Sequence, residues 1–355
     1  MTLVSILGDF HSSILPIFFE FKDKLTYHII LHDDSKYDKN QASKLIQAQR
    51  DFIELYKDDK NIDFELVDIT INEDDYEDIL KAYDMIKNKA SNPKDIYLNA
   101  TDGLNSVSLV LSNKILKNNG KVIIYDRFAN TYNIHTKNKM KKKTINNNMD
   151  IKNHLRLKGY KIVSYTNKFT LKNRKDIILE LTNNLVEFKQ FANTYKPTNK
   201  LKGKYGKLLK KTQQTNEPFV KGGVFEEYIY WLIKDNLDVD DIMTGVFIDF
   251  DKEILNEIDI LFIKNNHLHT IECKFTDNFK TTQYLYKTDS IMDYIDDDGK
   301  AMILTIGDKA IGLQDKARAE YNNINIYAKK VSKFKKLEFL KFVKDFFELK
   351  LRITN

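Results

Sequence analysis

Apolar residues along the first 135 positions come in short runs separated by longer segments of helical spacing. TLVSIL (2–7), YHIILH (27–32), IDFELVDI (62–69), DIYLNA (95–100) and KVIIYD (121–126) predict strands. In SKLIQAQRDFIELY (43–56), Leu45, Ile46, Phe52, Ile53 and Tyr56 fall largely on one helical face, and EDILKAYDMI (77–86) repeats that spacing. Alternating strands and helices predict a mainly parallel sheet with helices on both faces. Ligands of such sheets bind outside the carboxyl ends of the strands.

The pattern changes after residue 135. TKNKMKKKT (136–144) and YKPTNKLKGKYGKLLKK (195–211) are lysine runs, with a short amphipathic stretch at 151–160 and a longer helical pattern near 175–194 between them. Residues 136–215 read as a lysine-rich connector with small helical elements. From residue 216 the spacing predicts a helix (225–234), three strands (244–250, 257–263, 268–275), a helix (280–296) and a strand (301–306). A helix (313–322), a strand (324–328) and an amphipathic helix (332–350) complete it. The reading is thus an α/β chain with a front domain (1–135), a connector (136–215) and a back domain (216–355).

In the back domain, EIDILFIKNNHLHTIECKF (257–275) reads as a hairpin that carries charge where apolar residues are expected. Alternation puts Glu272 and Lys274 on one face of their strand and Cys273 on the other. Antiparallel pairing through the turn at 264–267 brings Asp259 towards Glu272. Two buried carboxylates repel and resist ionisation, a conflict that a divalent cation removes. Hard oxygen donors of this kind suit Mg²⁺ or Mn²⁺, with Asp259 and Glu272 as ligands. A lysine beside them can orient water or stabilise charge on a phosphorus centre. Taken alone, the same pattern also describes an ordinary ion pair on an exposed strand.

Composition narrows the classes further. Hydrophobic residues make up 42% and charged residues 30%, the balance of a soluble globular chain, and a net charge of +6 is compatible with a nucleic-acid partner. A lone cysteine excludes an intramolecular disulfide and a cysteine-cluster zinc site. No stretch approaches the about 20 apolar residues of a membrane span, so a cytoplasmic location without membrane contact is expected.

GGVFEEYIYWLI (222–233), EID (257–259) and IECK (271–274), in this order of elements, resemble the PD-(D/E)xK restriction-endonuclease-like nucleases. The resemblance implies that Asp259, Glu272 and Lys274 are the catalytic core, acting on DNA or RNA, with a further glutamate from the first helix. Glu226 and Glu227 both qualify. Apolar Ile229, Tyr230 and Ile233 at +3, +4 and +7 favour Glu226. On the following helix, Gln283 and Lys287 lie four apart, and Lys287 is the better candidate for a phosphate contact.

LNATDGLNSVSLVLSN (98–113) runs from strand to helix through small polar residues suited to an anion. The first strand is followed by LGDFHSS rather than a GxGxxG turn, which argues against a dinucleotide. Joined to a back-domain nuclease, NATDGLNS resembles the ligand loop of CRISPR-associated Rossmann-fold (CARF) sensor domains, although Asp102 stands where the usual turn has a glycine. The whole order resembles the CARF–nuclease effectors of type III CRISPR systems. That likeness implies a homodimer binding a cyclic oligoadenylate, cyclic tetra-adenylate in particular, through Thr101, Asp102, Gly103 and Asn105. The first loop (Gly8, Asp9, His11, Ser12, Ser13) would complete the site. A ligand-responsive nucleic-acid binder without cleavage, or a ring nuclease that degrades the cyclic ligand, are the alternatives.

Overall fold

The computed structural model describes residues 1–8, 13–35, 39–58, 62–197, 201–250, 255–277, 280–296, 298–307 and 312–352. The chain forms two units, Met1–Tyr160 and Lys161–Asn355.

The first unit runs β1 (Thr2–Ile6), α1 (Leu15–Phe21), β2 (Tyr27–His32), α2 (Lys39–Tyr56), β3 (Glu65–Thr70), α3 (Tyr76–Lys89) and β4 (Ile96–Asn99). It continues through α4 (Asn105–Lys117), β5 (Lys121–Asp126), β6 (Thr131–His135), β7 (Met140–Thr144) and α5 (Ile151–Leu157). The sheet order is β3-β2-β1-β4-β5-β6-β7. Strands β1 to β5 pair in parallel, and β6 and β7 add an antiparallel edge. The expected Rossmann-like sheet is therefore present, with its order reversing between β1 and β4. Ile79, Ala82 and Ile86 of α3 and Val107, Leu111 and Ile115 of α4 bury against Val4, Ile6, Ile29 and Leu31. On the other face Phe18 of α1 stacks on His28 and meets Phe52 of α2. His28 lies fully buried between Ser5 Oγ (3.0 Å) and Gln49 Oε1 (2.8 Å). Burial lowers its pKa to about 4, so it is a neutral core residue.

The second unit runs β8 (Lys161–Ser164), α6 (Lys168–Leu181), α7 (Leu185–Thr194), α8 (Gly203–Lys211) and α9 (Val224–Asn236). Then follow β9 (Asp241–Asp249), β10 (Leu255–Lys264), β11 (His267–Lys274), α10 (Thr281–Ile295), β12 (Ala301–Ile306), α11 (Leu313–Tyr321), β13 (Ile324–Lys329) and α12 (Lys336–Phe346). Its sheet order is β13-β12-β11-β10-β9-β8. Pairing is antiparallel from β8 to β11 and parallel from β11 to β13. Ile260 and Phe262 of β10, Ile271 and Cys273 of β11, and Met302 and Leu304 of β12 share one core with Val224, Ile229 and Ile233 of α9.

The stretch 136–215 divides between the two units. Its first lysine run forms β7, paired with β6, and α5 packs on α2. Its later part folds as β8 and α6 to α8, which send Leu171, Ile178, Phe188 and Leu209 into the core of the second unit. The lysines of α8 ride on a helix whose Leu208 and Leu209 are buried, so amphipathic spacing rather than net charge decides its place. No helix among the described residues is long and apolar enough to cross a membrane.

Candidate active site and ligand loop

The hairpin of β10 and β11 turns its charges away from the main core of the unit by alternation. Ile271 and Cys273 enter the core, while Glu272 and Lys274 project from the other side. The pairing of Ile260 with Ile271 sets Asp259 at the mouth of the same hairpin. There Asp259 Oδ2 accepts from the backbone N–H of Cys273 (2.7 Å) and from Lys274 Nζ (3.1 Å). Lys274 Nζ also lies 2.6 Å from Glu272 Oε1 and 4.8 Å from the centroid of the Tyr284 ring. The three residues singled out by alternation thus converge on one ammonium group.

Helix α10 supplies a second cation. Lys287 Nζ reaches Glu272 Oε1 and Oε2 at 3.3 and 3.1 Å. Gln283, one turn earlier, instead lines a separate cavity with Lys280, Tyr286 and Asp315.

The two candidate acids of α9 have different surroundings. Glu227 is buried in an ion pair with Arg174 of α6, whose guanidinium also donates to Gln214 Oε1 and lies over Phe219. Glu226 sits in the electrostatic field of Asp259, Lys274, Glu257 and Glu272. A π-helical turn, Phe219–Gly223, leads into α9 and sets this register. A Cβ on Gly222 would stand 3.1 Å from Glu226 Oε1.

Glu226, Asp259 and Lys274 line a cavity of about 340 Å³ together with Glu257, Thr244 and Gly245. Thr244 Oγ1 donates to the Asp259 carbonyl (2.7 Å), and Gly245 takes a left-handed φ of 59° in the facing strand. Glu257 went unremarked in the sequence reading. Its signal was the period of two, which places it on the Asp259 side of β10.

Burial is the main cause of the unusual acidities here. It raises Asp259 to about 6, helped by Glu272 and opposed by Lys274. It also raises Glu226 well above the usual carboxylate range, with Asp259 adding to the effect. For Lys274 burial acts downwards, but Asp259 and Glu272 outweigh it and hold the ammonium firmly protonated. Four carboxylates, counting Glu257 and Glu272, face two lysines. Hard oxygen donors that repel one another and exceed their cationic partners fit a divalent cation.

A further group, His267, Asp296 and Asp298, brings its donor atoms within 4.8 Å of one another. Asp296 is fully buried and accepts from the backbone N–H groups of Leu268 (2.8 Å) and Asp298 (3.1 Å). It ties the start of β11 to the end of α10.

In the first unit, the loops after β1 and β4 meet where the strand order reverses. A Cβ on Gly8 would lie 2.6 Å from Gly103 N and 2.8 Å from Asp102 Cγ. Gly103 has φ 98°, and a Cβ there would strike Ile6 at 2.5 Å. Ser13 Oγ donates to Asp102 Oδ2 at 3.4 Å, and Asp102 Oδ1 accepts from Gly103 N at 2.8 Å. Asn105 opens α4, whose cap, Leu104, contributes no side-chain bond. Asp9, His11 and Ser12 lie outside the described residues.

Buried Asn99, at the end of β4, was missed by the sequence reading. It accepts from Thr101 Oγ1 (2.5 Å) and donates to the Ser13 carbonyl (3.0 Å). Thr101 Oγ1 in turn accepts from Tyr125 N (2.8 Å). A polar residue closing a buried strand was the available signal.

Residues 213–331, which hold the acidic cavity, match the family described as Card1-like, endonuclease domain. The second unit carries a Card1-like endonuclease domain. The fold of the whole chain is similar to that of Can2 from Sulfobacillus thermosulfidooxidans in complex with cyclic tetra-adenylate. That match has 20% identity and a TM-score of 0.70, covering 96% of this chain and 99% of that one. Protein VC1899 from Vibrio cholerae is similar at 14% identity and a TM-score of 0.71, over 98% of each chain. A type III CRISPR defence DNA nuclease activated by cyclic oligoadenylate matches at 12% identity and a TM-score of 0.55, over 97% of this chain and 51% of that one. At these identities the likeness is one of fold. No curated protein sequence matches the chain.

Proposed function

We propose that the protein is a metal-dependent nuclease, switched on when its first unit binds a cyclic oligoadenylate, in type III CRISPR defence. The observation that carries this reading is the convergence of Asp259 and Glu272 on Lys274, at 3.1 and 2.6 Å, inside a Card1-like endonuclease domain. Asp259 and Glu272, supported by Glu226, would hold Mn²⁺ or Mg²⁺. When bound, such an ion polarises the phosphate and lowers the pKa of water. Lys274 is fixed between the carboxylates and is placed to orient the attacking water. Lys287 is placed to meet a phosphate oxygen. Nothing in this cluster reads a sugar, so the substrate class is DNA or RNA.

For the activator, cyclic tetra-adenylate is the choice suggested by the ligand of Can2, together with two glycines that let the β1 and β4 loops touch. Thr101, Asp102, Gly103, Asn105, Gly8 and Ser13 form the described part of that site in this reading, and Asp9, His11 and Ser12 complete it. A homodimer suits the ligand, since each subunit offers the same contacts to a symmetric ring. Activation then requires that the ring bind the cleaving state more tightly than the resting state.

Glu272→Ala tests the catalytic half of the proposal. The variant should bind cyclic tetra-adenylate as the wild type does and cleave neither DNA nor RNA in Mn²⁺. Cleavage retained by that variant would overturn the assignment.

A further inference from the structure

The β6–β7 hairpin of the first unit carries charge of one sign. Between residues 127 and 149 the chain has Arg127, Lys137, Lys139, Lys141, Lys142 and Lys143 and no acidic residue, although 51 of its 355 residues are acidic. Every residue of β7 is exposed. Among the described residues, none of the five lysines has a carboxylate partner. Other lysines of the chain do, as Lys89 with Glu65 and Lys189 with Asp277 show.

The hairpin is also ordered. His135 pairs with Met140 and Tyr132 with Lys143, and Thr136 donates through N (2.8 Å) and Oγ1 (3.0 Å) to the Lys139 carbonyl. Lys141 and Lys143 project from one face, about 7 Å apart, and Lys142 from the other.

A lysine on an edge strand often serves only to block pairing with another sheet. That role is indifferent to the sign of the charge, and one residue suffices. Five lysines without a single acid match a polyanion instead. The cyclic ligand is not that partner. His135 pairs with Val122, so the 136–139 turn lies where the parallel strands begin, at the opposite end from Gly8 and Thr101–Gly103.

We infer that the β6–β7 hairpin is a docking surface for the phosphate backbone of a nucleic acid. The inference rests on the nuclease reading only in taking nucleic acid as the partner. Contacts of this kind neutralise phosphates and carry no sequence information.

The test is binding by the full chain, in EDTA, to fluorescein-labelled DNA and RNA at several salt concentrations. Lys141→Gln/Lys142→Gln/Lys143→Gln should bind at least about tenfold more weakly. Its plot of log affinity against log salt should be shallower by about two, since each lost phosphate contact removes about 0.7–0.9. A control of equal charge change at other exposed positions of the first unit, Lys57→Gln/Lys87→Gln/Lys117→Gln, should keep the wild-type slope. Equal slopes for wild type and the hairpin variant would overturn the inference, and self-association of that variant would then assign the lysines to edge protection. A wild type that binds nucleic acid in EDTA yet cuts none in Mn²⁺ with cyclic tetra-adenylate would refute the nuclease reading and leave this one standing.

Discussion

Lys287 donates to both carboxylate oxygens of Glu272, at 3.3 and 3.1 Å, from a helix that follows the hairpin by one connection. The cation is half-exposed while its partner is buried, so under the proposed function it is the cation of the cluster open to a substrate phosphate. Lys287→Met should lower single-turnover cleavage in saturating Mn²⁺ by about 10²-fold, as loss of one charged donor to a reacting phosphate does. Lys287→Arg should recover part of that loss. An unchanged rate in both variants would remove Lys287 from the site.

Glu226 and Glu227 are adjacent but predict opposite phenotypes. Glu226→Gln should leave the melting temperature near or above that of the wild type and suppress cleavage. Glu227→Ala strands the buried Arg174, and breaking such a pair costs about 3–5 kcal/mol. Its melting temperature should fall markedly. Thermal denaturation and cleavage assays on the two variants separate these roles.

The Asp259 carboxyl, raised to about 6 by burial and then by Glu272, makes the cluster pH-sensitive. The folded state keeps this proton between the ordinary carboxylate value and about pH 6, where the unfolded chain has released it. Stability from this group is therefore present at low pH and declines as pH rises through that window. Asp259→Asn should melt higher than wild type at pH 7 in EDTA, with the gap closing near pH 4. Manganese should stabilise the wild type at pH 7, more weakly below pH 6, and leave the variant unmoved.

Gly8→Ala places a methyl group 2.6 Å from Gly103 N. The β1 and β4 loops then cannot keep their contact, and calorimetric binding of cyclic tetra-adenylate should be lost. The manganese-induced shift of the second unit should persist. Ligand binding of wild-type strength would place the ring elsewhere.

Much of this was legible because burial on one side leaves a period. Asp259, Glu272 and Lys274 interrupt apolar strands at alternate positions, and the strand–helix rhythm gave the parallel sheet. Where no face is buried the period vanishes. MKKKT (140–144) is exposed throughout, so a strand looked like part of a connector. Glu257 belongs to the exposed start of β10, where only its spacing of two from Asp259 marked it. The choice between Glu226 and Glu227 turned on Arg174, about fifty residues upstream, which no local spacing reveals.

The central claim is that a ligand of the first unit controls hydrolysis by the second. It is tested most directly by incubating the full chain with labelled DNA and RNA in Mn²⁺, with and without cyclic tetra-adenylate. The account predicts cleavage of at least one substrate that rises strongly with the ring, ceases in EDTA and is absent in Glu272→Ala. Cleavage at the same rate with and without the ring, or cleavage by Glu272→Ala, would contradict it.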